Sequence, residues 1–244
     1  MAIQGPDGPI DIPGRALFVV AHPDDIDFGS AGTAAVLREA GSHVAYCLVT
    51  SGDAGSDDMT VSTEDLAALR QTEQTAAAAA VGVDTLHWLG VPDGRVEANL
   101  DLRMRISRVI RIERPDVVIT QSPEPNWDRI YGSHPDHLAT AQACMAAVYP
   151  DSRNPRAFPE LLAEGHKPHT VPQVWMGSQN RTVFVDITDV MDKKIAALRA
   201  HTSQTSQMGE RLPKLLNEWA GDTARSAGMP DGRLAEGFRL VNTA

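Results

Sequence analysis

The sequence predicts an α/β fold: a mainly parallel sheet with helices on both faces and a C-terminal hairpin and helical extension. Three observations carry that expectation. Short apolar runs such as residues 16–21 (ALFVVA) show no polar alternation, as expected of strands buried on both sides. Helical patterns separate these runs. Strand and helix alternate through the N-terminal half, which implies right-handed crossovers and parallel pairing.

The elements follow in order. Residues 1–14 hold three prolines and three glycines and read as an N-terminal arm. A first strand over 16–21 leads to a helix over 33–40, stopped by Gly41. A second strand covers 43–50. Ser62 or Thr63 caps a long helix that runs to about Val81, with Gly82 as its stop. Residues 85–89 form a short third strand, and 100–113 a helix ended by Pro115. Residues 116–120 (DVVIT) form the fourth strand, and a helix runs from near His134 to Val148. Five prolines between 150 and 172 mark a long irregular loop. Strands over 171–177 and 182–186 form a hairpin at the sheet edge. A helix over 189–201 and another over 206–226, interrupted near Pro213, complete the chain.

The 244 residues are read as one domain, 1–244. With 22 basic and 32 acidic side chains the formal charge is −10, which argues against nucleic acid and against a polybasic membrane contact. Cys47 and Cys144 form no C-x-x-C pair, so neither a disulfide framework nor a cysteine zinc site is expected. No signal-peptide core and no membrane-length apolar run occurs. A cytoplasmic protein acting on a small molecule is the expectation; a homo-oligomer stays open.

The chemistry concentrates in two His-Pro-Asp segments, His22-Pro-Asp-Asp25 and His134-Pro-Asp-His137. Composition alone gives an expected count of roughly 0.05 for such a tripeptide. The first segment follows the first strand and the second follows the fourth, so both belong at the carboxyl ends of strands, where α/β sheets place their ligand crevice. His22, Asp25 and His137 supply two imidazoles and one carboxylate, the three-ligand pattern of a catalytic zinc site with an open position. Such a site brings the pKa of a water from 15.7 to about 7. The same ligand types also suit a non-haem iron centre. Asp24 is then the carboxylate able to take the water's proton. His134, three residues before His137 on one helical face, can stabilise an oxyanion or protonate a leaving amine. Asp136 is placed to orient a histidine through its ring N–H.

These segments, with Gly29-Ser-Ala-Gly-Thr33 after the first, resemble the two signatures of the PIG-L / LmbE-like family of zinc-dependent deacetylases. Further matches are residues 50–55 (TSGDAG), 70–73 (RQTE), 89–94 (LGVPDG) and 197–204 (ALRAHTSQ). The resemblance implies a Rossmann-like fold and zinc-dependent hydrolysis (with Fe2+ an alternative ion) of an N-acetyl group on an amino sugar or related small molecule. By match, His22, Asp25 and His137 are the ligands and Asp24 the base. His134 is the oxyanion stabiliser or acid, with Asp136 as its orienting partner. Arg70 and Asp93 match positions that face the substrate sugar. Ile26-Asp27, Ala31 and Leu138 depart from residues common in the family and bear on substrate identity.

Three other readings are carried. The site could cleave a larger conjugate or natural-product amide, with the 150–172 loop shaping its pocket. The chain could be a non-catalytic binding protein on the same fold, or an iron oxygenase. His166 and His169 read as ordinary loop residues, although their loop could border the site; His43 and His87 read as structural, and His201 as a histidine at a helix C-terminus. Trp127 and Asp128 sit where a sugar-facing loop would be.

Overall fold

Side chains alternate across a strand, and in residues 16–20 and 44–49 both sets are apolar. Phe18, Tyr46 and Leu48 pack on one face of the sheet, Leu17, Val19 and Cys47 on the other. The structure, a computed structural model, describes residues 3–128 and 130–243. Residues 1 and 2 of the predicted arm, and residue 244, lie outside the described residues.

The chain begins with β1 (Ile3–Gly5), β2 (Gly8–Ile10) and β3 (Arg15–Val20), then α1 (Asp25–Gly29) and α2 (Ala31–Glu39). Next come β4 (His43–Thr50), α3 (Thr63–Ala80), β5 (Thr85–Val91), α4 (Leu100–Glu113), β6 (Val117–Thr120) and α5 (Pro135–Ala146). The remainder holds α6 (Pro159–Ala163), β7 (Gln173–Met176), β8 (Val183–Asp186), α7 (Met191–Ala200), α8 (Thr202–Thr205), α9 (Arg211–Ser226) and β9 (Ala235–Asn242). The sheet order is β2-β1-β8-β9-β7-β6-β3-β4-β5. From β7 to β5 the five strands pair in parallel, and the other four add antiparallel. Helices α2, α3, α7 and α9 cover one face, α4 and α5 the other.

Three expectations are corrected. The strands β7 and β8 form no hairpin, because β9 lies between them and pairs with both. The N-terminal arm is itself a short hairpin, closed by Pro6-Asp7-Gly8 and paired through β1 to β8. Pro213 does not interrupt α9. It is the third residue of that helix, where backbone N–H groups have no intrahelical partner to lose.

Two charged clusters tie the layers. Glu236 of β9 accepts from the N–H groups of Gly32 and Thr33 at the start of α2, at 3.1 and 2.6 Å. It also meets Lys194 of α7 at 2.6 Å, buried. On the other cluster, His43 and His87 both reach Glu113 at the end of α4, at 2.7 and 2.8 Å. The His87 hydrogen bond, against the opposing effect of burial and with help from His43, holds the Glu113 carboxyl down at about 2. A carboxyl with a depressed folded pKa stabilises above its unfolded value, and that contribution disappears as pH falls through the folded one. Urea unfolding should therefore show stability dropping between about pH 4.5 and 2, and Glu113→Gln should flatten that drop. An unchanged acid limb in Glu113→Gln would contradict the assignment.

Candidate active site

The site gathers where β3, β5 and β6 end. Residues 22–25 leave β3, Asp93 follows β5, and residues 134–137 begin α5. Pro135 opens α5, where its missing N–H costs nothing. Asp24 adopts φ 81°, a left-handed conformation that turns the chain from strand into α1. The Asp25 carboxylate closes this turn by accepting from the His22 N–H at 2.8 Å.

Three donor groups then converge. His22 Nδ1 lies 3.2 Å from His137 Nε2, Asp25 Oδ2 lies 3.4 Å from His22 Nδ1, and Asp25 Oδ1 lies 3.1 Å from His137 Nε2. Ligands about 2.0–2.1 Å from one tetrahedral cation would be about 3.3 Å apart, so these separations are of the size that a small divalent ion needs. On the far side of its ring, His22 Nε2 faces Asp93 at 3.1 Å and Asp136 at 3.2 Å. Carboxylates only accept, so Nε2 carries the proton and Nδ1 is the atom able to offer a lone pair. Burial disfavours a second proton on His22, yet the hydrogen bonds and charges of Asp25 and Asp93 outweigh it and push its pKa up to about 10. Burial likewise opposes the Asp25 charge, but His137 and His22 together hold that carboxyl well below its usual range.

The sets whose single donor atoms all lie within 4.8 Å of one another are different ones: His22, His134 and His137, and His22, Asp93 and Asp136. Both are less suited. His134 Nδ1 accepts the N–H of Asp136, while Asp93 and Asp136 already accept from Ala54, Gly94 and Val96.

Asp24 stands beside the triangle. Burial first, and then the Asp25 charge, lift its carboxyl to about 7, opposed by Arg70. Arg70 is 4% exposed and donates to Asp24 at 3.0 Å, Pro23 O at 2.8 Å and Gly52 O at 3.2 Å. One turn further along α3, Gln74 accepts from the Asp24 N–H at 2.9 Å and donates to Asp27 at 2.8 Å. Asp27 in turn meets buried His201 at 2.8 Å.

Several expected placements change. Arg70 bonds Asp24 and the carbonyls of Pro23 and Gly52, and Asp93 meets His22 and accepts from the Ala54 N–H. Asp136 holds His22 through its carboxylate and His134 through its backbone N–H; the His134 ring sits at the N-terminus of α5, 5.0 Å from His22 and 5.4 Å from His137 between centroids. The 150–172 segment does not border the site. His169 bonds Pro115 O at 2.8 Å, at the amino end of β6, opposite the donor triangle. His201 is bound to Asp27, so it acts as more than a helix-end histidine. Gln74 was not singled out from sequence, though its four-residue spacing from Arg70 on α3 puts both on one face.

Two cavities open on His137. One, about 510 Å³, runs from Asp25 to Trp219 on α9. The other, about 760 Å³, is bounded by Gln121, Trp127 and Asp128; Trp127 is 80% exposed.

Fold and site together define an α/β protein with a cation-competent pocket at the carboxyl end of its parallel strands. Residues 17–148 match the family described as PIG-L, GlcNAc-PI de-N-acetylase, and the chain belongs to that family. Diacetylchitobiose deacetylase of Thermococcus kodakarensis is 34% identical, over 93% of this chain and 83% of its own. A probable N-acetyl-alpha-D-glucosaminyl L-malate deacetylase 2 of Bacillus subtilis is 30% identical, over 83% of this chain and 88% of its own. The solved N,N'-diacetylchitobiose deacetylase of Pyrococcus horikoshii superposes with a TM-score of 0.85 at 29% identity, covering 94% of this chain and 84% of its own. These relatives are N-deacetylases, hydrolases of amide C–N bonds. Among the described residues no helix is long and apolar enough to cross a membrane.

Proposed function

We propose that the protein is a metal-dependent hydrolase that removes the N-acetyl group from an N-acetylated amino sugar or related small molecule. The carrying observation is the triangle of His22 Nδ1, His137 Nε2 and the Asp25 carboxylate, with sides of 3.1–3.4 Å. These residues would hold zinc or another divalent ion such as Fe2+. An ion held by them would supply a water acidified to a pKa of about 7 and polarisation of the amide carbonyl.

The chain's own groups account for the proton traffic. Asp24 takes a proton from the attacking water and returns it to the departing amine nitrogen. Arg70 and the Gln74 bond to its N–H keep Asp24 in place for both transfers. His134 donates to the amide oxygen as negative charge develops on it. Asp93 and Asp136 hold the His22 tautomer. Arg70 and Asp93 thus also position Asp24 and His22. Acetate and a free amine leave.

One continuous sheet supports a single domain, and buried, free Cys47 and Cys144 fit a reducing cytoplasmic setting. Removing divalent ions with a chelator should abolish acetate release from diacetylchitobiose and related N-acetylglucosaminides, and zinc should restore it. Full activity in protein shown to be metal-free would contradict the reading.

A further inference from the structure

Asp27 of α1 and His201, at the junction of α7 and α8, are both fully buried. Neither belongs to the donor triangle, yet their hydrogen bonds lead to its neighbour. His201 Nε2 meets Asp27 Oδ2 at 2.8 Å, and the same oxygen faces Gln74 Nε2 at 2.8 Å. A carboxylate only accepts, so both nitrogens donate to it. That decides which way the Gln74 amide points. With its nitrogen on Asp27, its oxygen turns to the Asp24 N–H, at 2.9 Å. Flipped, the amide would set oxygen against carboxylate and NH2 against a backbone N–H.

The path ends on a backbone that needs holding. Asp24 sits at φ 81°, a region that side chains with a Cβ rarely adopt. Its carbonyl accepts from Phe28 N at 2.9 Å in α1, and its N–H is held by Gln74. At the other end His201 is fixed by its own backbone, which donates to Leu198 O at 3.2 Å and accepts from Thr205 N at 2.9 Å. A second tie joins the same elements. Thr202 and Ser203 donate to Glu73 of α3 at 2.8 and 2.6 Å, without meeting Gln74.

We propose that Asp27 and His201 are positioning residues for Asp24. Through the Gln74 amide they hold its left-handed backbone, and with it the carboxylate, where it can take the water's proton. This inference rests on the deacetylase reading, in which Asp24 is the base.

Hydrogen exchange followed by NMR reads the hold on Asp24 without turnover. In His201→Phe, which keeps a ring but no donor, the Asp24 amide should exchange about tenfold or more faster than in the wild-type protein. Acetate release from diacetylchitobiose should lose about 10–100-fold in kcat, with KM within about twofold. His201→Gln, which returns a donor to Asp27, should recover most of both losses. In a Gln74→Met background, where the path is already cut, His201→Phe should add no more than about twofold. Ser203→Ala weakens the second tie and should leave kcat and Asp24 exchange within about twofold of wild type. Where His201→Phe does not fold, Asp27→Leu joined to His201→Phe leaves no buried charge alone and carries the same expectation. Wild-type exchange at Asp24 in whichever of these folds, losses that multiply in the Gln74→Met background, or a Ser203→Ala loss as large as that of His201→Phe would overturn the proposal. A wild-type protein that releases no acetate from diacetylchitobiose would instead overturn the deacetylase reading, and the exchange comparison would still test the hold on Asp24.

Discussion

Asp24→Asn is expected to slow acetate release by about 10²–10⁴ while metal content and fold persist. Asparagine keeps the shape of the side chain and an oxygen for the Arg70 bond at 3.0 Å. It also tolerates the left-handed backbone at φ 81° better than alanine would. What it loses is basicity. Asp24 is not a member of the donor triangle, so bound zinc should stay near one ion per chain by elemental analysis. A steady-state assay should show the loss in kcat, with thermal unfolding unchanged. A wild-type rate in Asp24→Asn would remove Asp24 from the proton path.

The second large effect concerns stability. Glu236→Ala should destabilise the protein by about 3–5 kcal/mol in urea unfolding. The substitution strands the buried Lys194 ammonium, which would keep only the Phe28 carbonyl at 2.8 Å. It also strips acceptors from the first turn of α2, where Gly32 and Thr33 donate to Glu236. Replacing both charges, as in Lys194→Met with Glu236→Leu, should cost less than the single change, since no buried ion is then left alone. A single variant within about 1 kcal/mol of wild type would show that water reaches Lys194 and that the pair is not a structural tie.

The sequence made the parallel half of the sheet legible because its strands are buried on both faces. Runs such as residues 16–20 and 44–49 cannot alternate with polar residues when helices cover both sides. β9 was hidden for the opposite reason. Its Glu236 serves a helix start and its Arg239 a contact with Glu124, and its partners lie 49 or more residues earlier. The strands of the N-terminal hairpin, three residues each, are too short to show a period.

The two His-Pro-Asp segments were visible because strand ends in this kind of sheet face one crevice. The geometry of their neighbours was not. Spacing does not tell whether a polar side chain faces open space or another residue, and Arg70 and Asp93 turned out to face Asp24 and His22. Asp27 and His201 are 174 positions apart, and no local pattern links them.

The central claim is where the cation sits. Crystals containing zinc, measured on both sides of the zinc absorption edge, would locate it directly. One anomalous peak is expected about 2.0–2.3 Å from His22 Nδ1, His137 Nε2 and the Asp25 carboxylate. A peak on the Nε2 side of His22, between Asp93 and Asp136, or no peak at these residues, would contradict it.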